Sequence, residues 1–239
     1  MSDRARSFEG AAAEYERHRP DYPEAALRWA LERLELGPGA RVLDLGAGTG
    51  KLARGLVALG LDVVAVEPGA PMLEQLRAVL PQVEALDGAA EAIPLGDASV
   101  DGAVAGQAYH WFDAVRAVPE LHRVVRPRGG LALFWNWWDL RDPLQAELGE
   151  LLGIGAEREF ADLPGAPWFR EVDRDAIESV TETTPEQIVA REATTSAMLT
   201  ADPRERERLL AEVHSIASRY GDRISMPQLT YVLAFARLS

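Results

Sequence analysis

The chain has 239 residues, 47% of them hydrophobic, which suits one α/β domain with a sizeable core and room for a small cap. A formal net charge of −13 argues against DNA, RNA or an anionic membrane surface as the main partner, because phosphate binding needs a basic face. The absence of cysteine excludes disulfides, thiolate metal sites and cysteine nucleophiles. With neither a signal peptide nor an apolar run of about 18 residues, the expected location is the cytoplasm.

In chain order, residues 1–20 are polar and mixed in charge, with a helical piece expected from about Phe8 to Arg19. Pro23 suits the first turn of a helix whose apolar face is Leu27, Ala30, Leu31 and Leu34, ended by Gly37-Pro38. Arg41–Leu45 reads as a buried strand containing Asp44. It runs into Gly46, Gly48 and Gly50 at alternate positions, and then into a helix carrying Leu52, Leu56 and Leu59. Alternating glycines let a backbone pass close to a ligand, because no Cβ stands in the way. The helix that follows offers free N–H groups to a polar or anionic group. A tight strand-to-helix turn with no ligand would carry the same glycines.

Leu61–Glu67 is a second buried strand ending in an acid. Strand, helix and strand with short connections give a right-handed βαβ unit and a parallel sheet. The loop and the acid then lie at adjacent strand C-termini, where α/β sheets bind ligands. At such a tip Glu67 can accept hydrogen bonds from both hydroxyls of a ribose, a device that serves NAD as well as other adenosine ligands. A helix follows from Ala70-Pro71-Met72, with Leu73, Leu76, Val79 and Leu80 facing the sheet. A third strand, about Gln82 to Leu86, leads into the turn-rich stretch Asp87–Pro94. The fourth, Ser99–Gly106, delivers Gln107-Ala-Tyr-His-Trp-Phe112 at its end. Asp113–Arg126 is an amphipathic helix, Arg126–Gly130 a turn, and Leu131–Trp137 a fifth strand. Beyond Arg141 the patterns weaken: broken helical pieces over 141–172, a strand over Ala176–Thr183, helices over Pro185–Ala193 and Pro203–Arg219, and a closing antiparallel strand over Gln228–Arg237.

The loop has the form Asp-x-Gly-x-Gly-x-Gly (Asp44 to Gly50), and Lys51 stands where a dinucleotide fingerprint needs glycine. Here the chain resembles the class I S-adenosylmethionine (SAM)-dependent methyltransferases. Gly88-x-Ala90-Glu91-x-Ile93-Pro94 matches the loop that this family places against adenine, with Ala89 where many relatives carry an acid. Arg126-Pro-x-Gly-Gly130 is similar to another family turn. Gln107–Asp113 looks like the small-molecule subgroup that includes trans-aconitate methyltransferase-like proteins. The resemblance implies a Rossmann-like, seven-stranded, mostly parallel sheet in the order 3-2-1-4-5-7-6 with helices on both faces. It implies a single domain in three parts: an N-terminal arm over the cofactor (1–22), a SAM-binding core (23–140), and cap helices with the last two strands (141–239). It assigns cofactor binding to Asp44, Gly46, Ala47, Gly48, Gly50, Glu67, Pro68, Met72, Ala90, Glu91 and Gln107. Tyr15 and Arg19 of the arm would lie near the methionine end of SAM, where Arg19 can pair with its carboxylate; surface positions suit both residues equally well.

The expected activity is transfer of the SAM methyl group to a small molecule, with no metal. Trp111 and Phe112 would shape the substrate pocket, and Asn136 at the tip of the fifth strand is a further candidate contact. A carboxylate acceptor is already ionised. A hydroxyl acceptor would need a base, for which His110 is the candidate and Tyr109 its neighbour; His110 fits a packing role as readily. Two rivals remain: a SAM-binding sensor or subunit that has lost its chemistry, and an NAD enzyme, which Lys51 argues against. Oligomeric state leaves no trace in the sequence.

Overall fold

The computed structural model describes residues 12–155 and 167–239; Phe8 and the start of the arm lie outside them. The glycine-loop unit forms as the patterns require: β1 (Arg41–Leu45), α3 (Lys51–Ala58), β2 (Asp62–Glu67) and α4 (Ala70–Val79) follow α1 (Ala12–His18) and α2 (Glu24–Arg33). Next come β3 (Glu84–Asp87), β4 (Val100–Gly106), a single 3-10 turn (Tyr109–Trp111), α5 (Ala114–Val124) and β5 (Val125–Trp138). The remainder is α6 (Pro143–Leu152), β6 (Phe169–Thr183), α7 (Pro185–Ala193), α8 (Ser196–Thr200), α9 (Pro203–Ser218) and β7 (Ile224–Arg237).

The seven strands form one sheet in the order β3-β2-β1-β4-β5-β7-β6. Strands β1 to β5 pair in parallel, and β7 runs antiparallel to both neighbours. The fold is Rossmann-like.

Side-chain alternation sorts the core onto two faces. On one, Leu27 and Leu31 of α2, Leu52 and Leu56 of α3 and Leu76 of α4 pack with Val42, Ala65 and Phe134. On the other, Val118, Leu121 and Val124 of α5 pack with Leu43, Leu45, Val64 and Val66. A third cluster joins Leu144 and Leu148 of α6, Ile188 of α7 and Val213 of α9 to Trp138, Ile224 and Met226 on the strands. Each such leucine or valine contributes about 1.5–3 kcal/mol on burial, so the cap side is anchored by its own core.

Several boundaries differ from the sequence reading. Arg126–Gly130 is strand, a bulged start to β5 with a register shift opposite Val100 and Gly102. A Cβ on Gly129 would come within 2.3 Å of the Asp101 carbonyl oxygen, and one on Gly130 within 2.4 Å of that of Phe235, so the glycines allow close strand approach. Strand β6 begins at Phe169, because pairing with β7 recruits charged residues that carry no apolar alternation. Asp142, Thr184 and Asp202 cap α6, α7 and α9 by accepting backbone N–H groups of the first turn. Among the described residues no helix is long and apolar enough to cross a membrane.

Candidate active site

The C-terminal ends of β1, β2, β4 and β5 open on a cavity of about 900 Å³, within the size range of small-molecule sites. The glycine loop forms its floor. Gly48 sits at φ +57°, and a Cβ built on it meets nothing within 4 Å, so this glycine presents bare backbone to the cavity. Gly46 and Gly50 serve packing: a Cβ on Gly46 would lie 2.6 Å from the Ala108 Cβ, and one on Gly50 2.8 Å from Leu80. Gly50 does not line the cavity, whereas Gly46, Ala47 and Gly48 do.

Two buried carboxylates flank the loop. Glu67 Oε2 accepts from the Gly48 amide at 2.9 Å, and Oε1 from the Gly69 amide at 2.8 Å. Burial raises the Glu67 pKa, and those two backbone donors oppose the rise. Asp44 Oδ2 accepts from the Ala53 amide at 3.0 Å, so the acid ties β1 to α3. Its Oδ1 is buried without a partner among the described residues, and burial pushes its pKa up to about 7. Both acids line the cavity, as do Pro68, Met72 and the Gly88–Glu91 turn. Glu91 Oε1 accepts from the Asp113 amide at 2.8 Å, which joins that turn to the start of α5.

Gln107 turns the chain from β4 into the 3-10 turn with φ +54°, a left-handed conformation that side chains rarely adopt. The conformation is held from both sides: the Gln107 amide donates to the Phe134 carbonyl at 2.8 Å, and its Nε2 to the Asn136 carbonyl at 2.6 Å. His110, Trp111 and Phe112 line the cavity, with the His110 and Trp111 rings 4.5 Å apart. Tyr109 does not. It is buried in the core edge-on to Phe112, its pKa pushed up to about 12 by burial. A 3-10 turn spaces side chains by thirds of a turn, and this one sends Tyr109 inward while its neighbours face the ligand space. Asn136 lines the cavity, but its side chain is engaged: Nδ2 donates to the Asp21 carbonyl at 3.3 Å, and Oδ1 accepts from Thr230 Oγ1 at 2.7 Å.

The described part of the N-terminal segment borders the cavity. Tyr15 and Arg19 line the cavity, with the Arg19 guanidinium 5.5 Å from the Tyr15 ring centroid. Arg19 Nε donates to Thr194 Oγ1 of the cap at 2.9 Å. Glu16, not singled out from the sequence, accepts from Thr49 Oγ1 at 2.6 Å and pairs with Lys51 at 3.8 Å and with Arg54. The glycine loop thus meets the helix Ala12–His18 through Glu16, and Thr194, the residue after α7, meets Arg19 just beyond that helix. No motif announces either contact, because the partners lie far apart in the chain.

The comparisons with known proteins agree with this geometry. Residues 43–133 match the model of a methyltransferase domain. The chain is 44% identical over 220 residues to an uncharacterised methyltransferase of Mycobacterium tuberculosis, covering 91% of this chain and 88% of that one. It is 42% identical over 101 residues to a malonyl-[acyl-carrier protein] O-methyltransferase of Methylococcus capsulatus, covering 40% and 37% of the two chains. The solved structure of a protein assigned as a type II methyltransferase from Anaeromyxobacter dehalogenans superposes with a TM-score of 0.72 at 28% identity, covering 90% of this chain and 97% of that one. The chain belongs to the class I SAM-dependent methyltransferases, and its use of SAM follows from that membership.

The donors and acceptors present fit such a ligand. The Asp44 Oδ1, which has no partner among the described residues, and the remaining lone pairs of Glu67 are acceptors suited to hydroxyl or ammonium groups, and the bare Gly48 backbone leaves room for close approach.

Proposed function

We propose that this protein transfers the methyl group of SAM to a small-molecule acceptor, a carboxylate being the favoured acceptor group. Bound SAM would supply a methyl group activated on a sulfonium, to be passed to an acceptor oxygen with S-adenosylhomocysteine as the other product. The protein's part is binding, alignment and exclusion of water. In this reading Glu67 takes the ribose hydroxyls, the backbone near Gly46–Gly48 and Asp44 face the amino-acid portion, and Pro68, Met72, Ala90 and Glu91 border the adenine. Tyr15 and Arg19 close the arm over the methionine end. His110, Trp111 and Phe112 border the acceptor. A carboxylate needs no base there; a hydroxyl would give its proton to His110. Tyr109 and Gly50 act through packing, and Gln107 and Asn136 by joining the β4 and β5 tips to each other and to the arm.

The observation that carries this reading is the meeting of Glu67 with Gly48 at the wall of a cavity that continues to the His110–Phe112 turn. The test is transfer of label from methyl-labelled SAM into a small-molecule metabolite extract, followed by mild base. Base-labile product means a methyl ester and supports a carboxylate acceptor; base-stable product moves attention to His110. S-adenosylhomocysteine binding with no transfer to any acceptor would favour the sensor reading.

A further inference from the structure

In the proposed reading the cofactor residues carried by the sheet lie on the β1–β3 side of the cavity, with Tyr15 and Arg19 of the arm beside them. The other side, over β4, β5 and the cap, is walled by Trp138, Leu151, Leu152, Ile154, Met198 and Leu209. Into this apolar wall α7 sets one cation, Arg191, whose side chain is 17% exposed. Its guanidinium lies 5.2 Å from the Trp138 ring centroid, and its Nη1 meets only the Met226 thioether sulfur, at 4.0 Å. Glu192 Oε1 is 3.2 Å from its Nε, but neither atom makes an aligned hydrogen bond. No oxygen among the described residues accepts a hydrogen bond from this guanidinium. The other cations at the cavity wall differ. Arg208 is spent on Glu205 and Glu212, Lys51 on Glu16 and Asp21, and Arg19 on Thr194. Arg19 is also near enough to oppose the charge of Arg191, and burial pulls Arg191 below the ordinary arginine value. The charges acting on Arg191 are thus one buried carboxylate, Glu192, and a second guanidinium, Arg19.

A buried donor fork without an acceptor is costly to fold, and its planar geometry matches a carboxylate in two parallel hydrogen bonds. One uncompensated positive charge suits a single negative charge, whereas a dianion would be set against Glu192. We propose that Arg191 is the residue that selects the acceptor. The site takes a small amphipathic monocarboxylate, with the carboxylate on the Nη edge of Arg191 and the hydrocarbon body along Ile154, Met198 and Leu209. This rests on the reading of the β1–β3 side as the cofactor half.

The test uses octanoate and octan-1-ol as probes in the presence of saturating S-adenosylhomocysteine, followed calorimetrically, on wild type and on Arg191→Met and Arg191→Lys. The wild type is expected to bind octanoate at least about tenfold more tightly than octan-1-ol. Arg191→Met should abolish that preference while S-adenosylhomocysteine affinity stays within about twofold. Arg191→Lys, which keeps the charge and loses the fork, should fall between and serves if the methionine variant does not fold. Equal binding of the acid and the alcohol by wild type, no binding of octanoate, or an undiminished preference in both variants would overturn the proposal. A loss of S-adenosylhomocysteine affinity as large as the loss of octanoate would also overturn it, by moving Arg191 to the cofactor half. Failure of wild type to bind S-adenosylhomocysteine at all would instead strike the underlying methyltransferase reading.

Discussion

Glu67 Oε2 accepts from the Gly48 amide across 19 positions of sequence, so the acid at the tip of β2 holds the shape of the loop at the tip of β1. In the proposed cofactor site, a ribose would meet a carboxylate already oriented by two backbone donors, Gly48 and Gly69. Glu67→Ala should weaken S-adenosylhomocysteine binding by roughly 1.5–3 kcal/mol, the scale for hydrogen bonds to a charged group. Glu67→Gln should fall between, since an amide nitrogen cannot accept from either backbone donor. Calorimetric titration reads both; unchanged affinity in the alanine variant would remove Glu67 from the cofactor site.

The glycines at 46 and 48 should fail in different ways. Gly48→Ala places a methyl group in open cavity, costing only the left-handed strain of about 1–2 kcal/mol, yet it should block cofactor approach. Gly46→Ala drives a methyl group to 2.6 Å from the Ala108 Cβ and should lower the melting temperature more. Thermal unfolding and S-adenosylhomocysteine titration on the two variants separate the effects, and a Gly48→Ala protein that binds normally would count against the loop as the ligand's floor.

Asp44 gives a pH dependence whose sign is fixed by its buried position. Its folded pKa is raised from 3.8 to about 7, so the native state holds a proton that the unfolded chain has released across that window. Stability from this group is then greatest at low pH and declines as pH rises from about 4 to 7. The burial of Glu67 acts in the same direction. Asp44→Asn keeps an oxygen for the Ala53 amide and removes the titration. Relative to wild type it should gain a few kcal/mol at most between about pH 5 and pH 7.5. Chemical denaturation of the ligand-free protein at the two pH values checks this, and a constant difference between the proteins would refute it.

Tyr109 and His110 are neighbours with opposite expected behaviour. The Tyr109 hydroxyl is buried with no partner among the described residues, so Tyr109→Phe should be neutral or slightly stabilising and leave methyl transfer intact. His110 lines the cavity, and His110→Ala should change the acceptor KM. Steady-state kinetics with the acceptor identified by label transfer decides; a large fall in kcat for Tyr109→Phe would return the tyrosine to the chemistry.

The first half of the chain was legible because local signals agree there. Gly46, Gly48 and Gly50, the apolar strands on either side and the acid of Glu67 all specify one βαβ unit. The resemblance supplied the rest of the strand order. What was hidden is long in sequence or short in period. Glu16 reaches Thr49 across 33 positions and Arg19 reaches Thr194 across 175, distances no pattern encodes. Arg191 sits in an ordinary amphipathic helix, where an arginine reads as solvated until the cap folds over it. The division between Tyr109 and His110 depends on a single 3-10 turn, too short to show a period.

The inverted position of β7 has a consequence for synthesis. Among the described strands β6 pairs with β7 alone, yet β7 follows it in the chain. Until β7 is made, the 15-residue segment that becomes β6 lacks its strand partner. Its closely spaced Glu, Asp and Arg residues are the composition that discourages pairing with a neighbouring nascent chain. The 14-residue β7 lies between β5 and β6 and pairs with both, so its insertion completes the sheet.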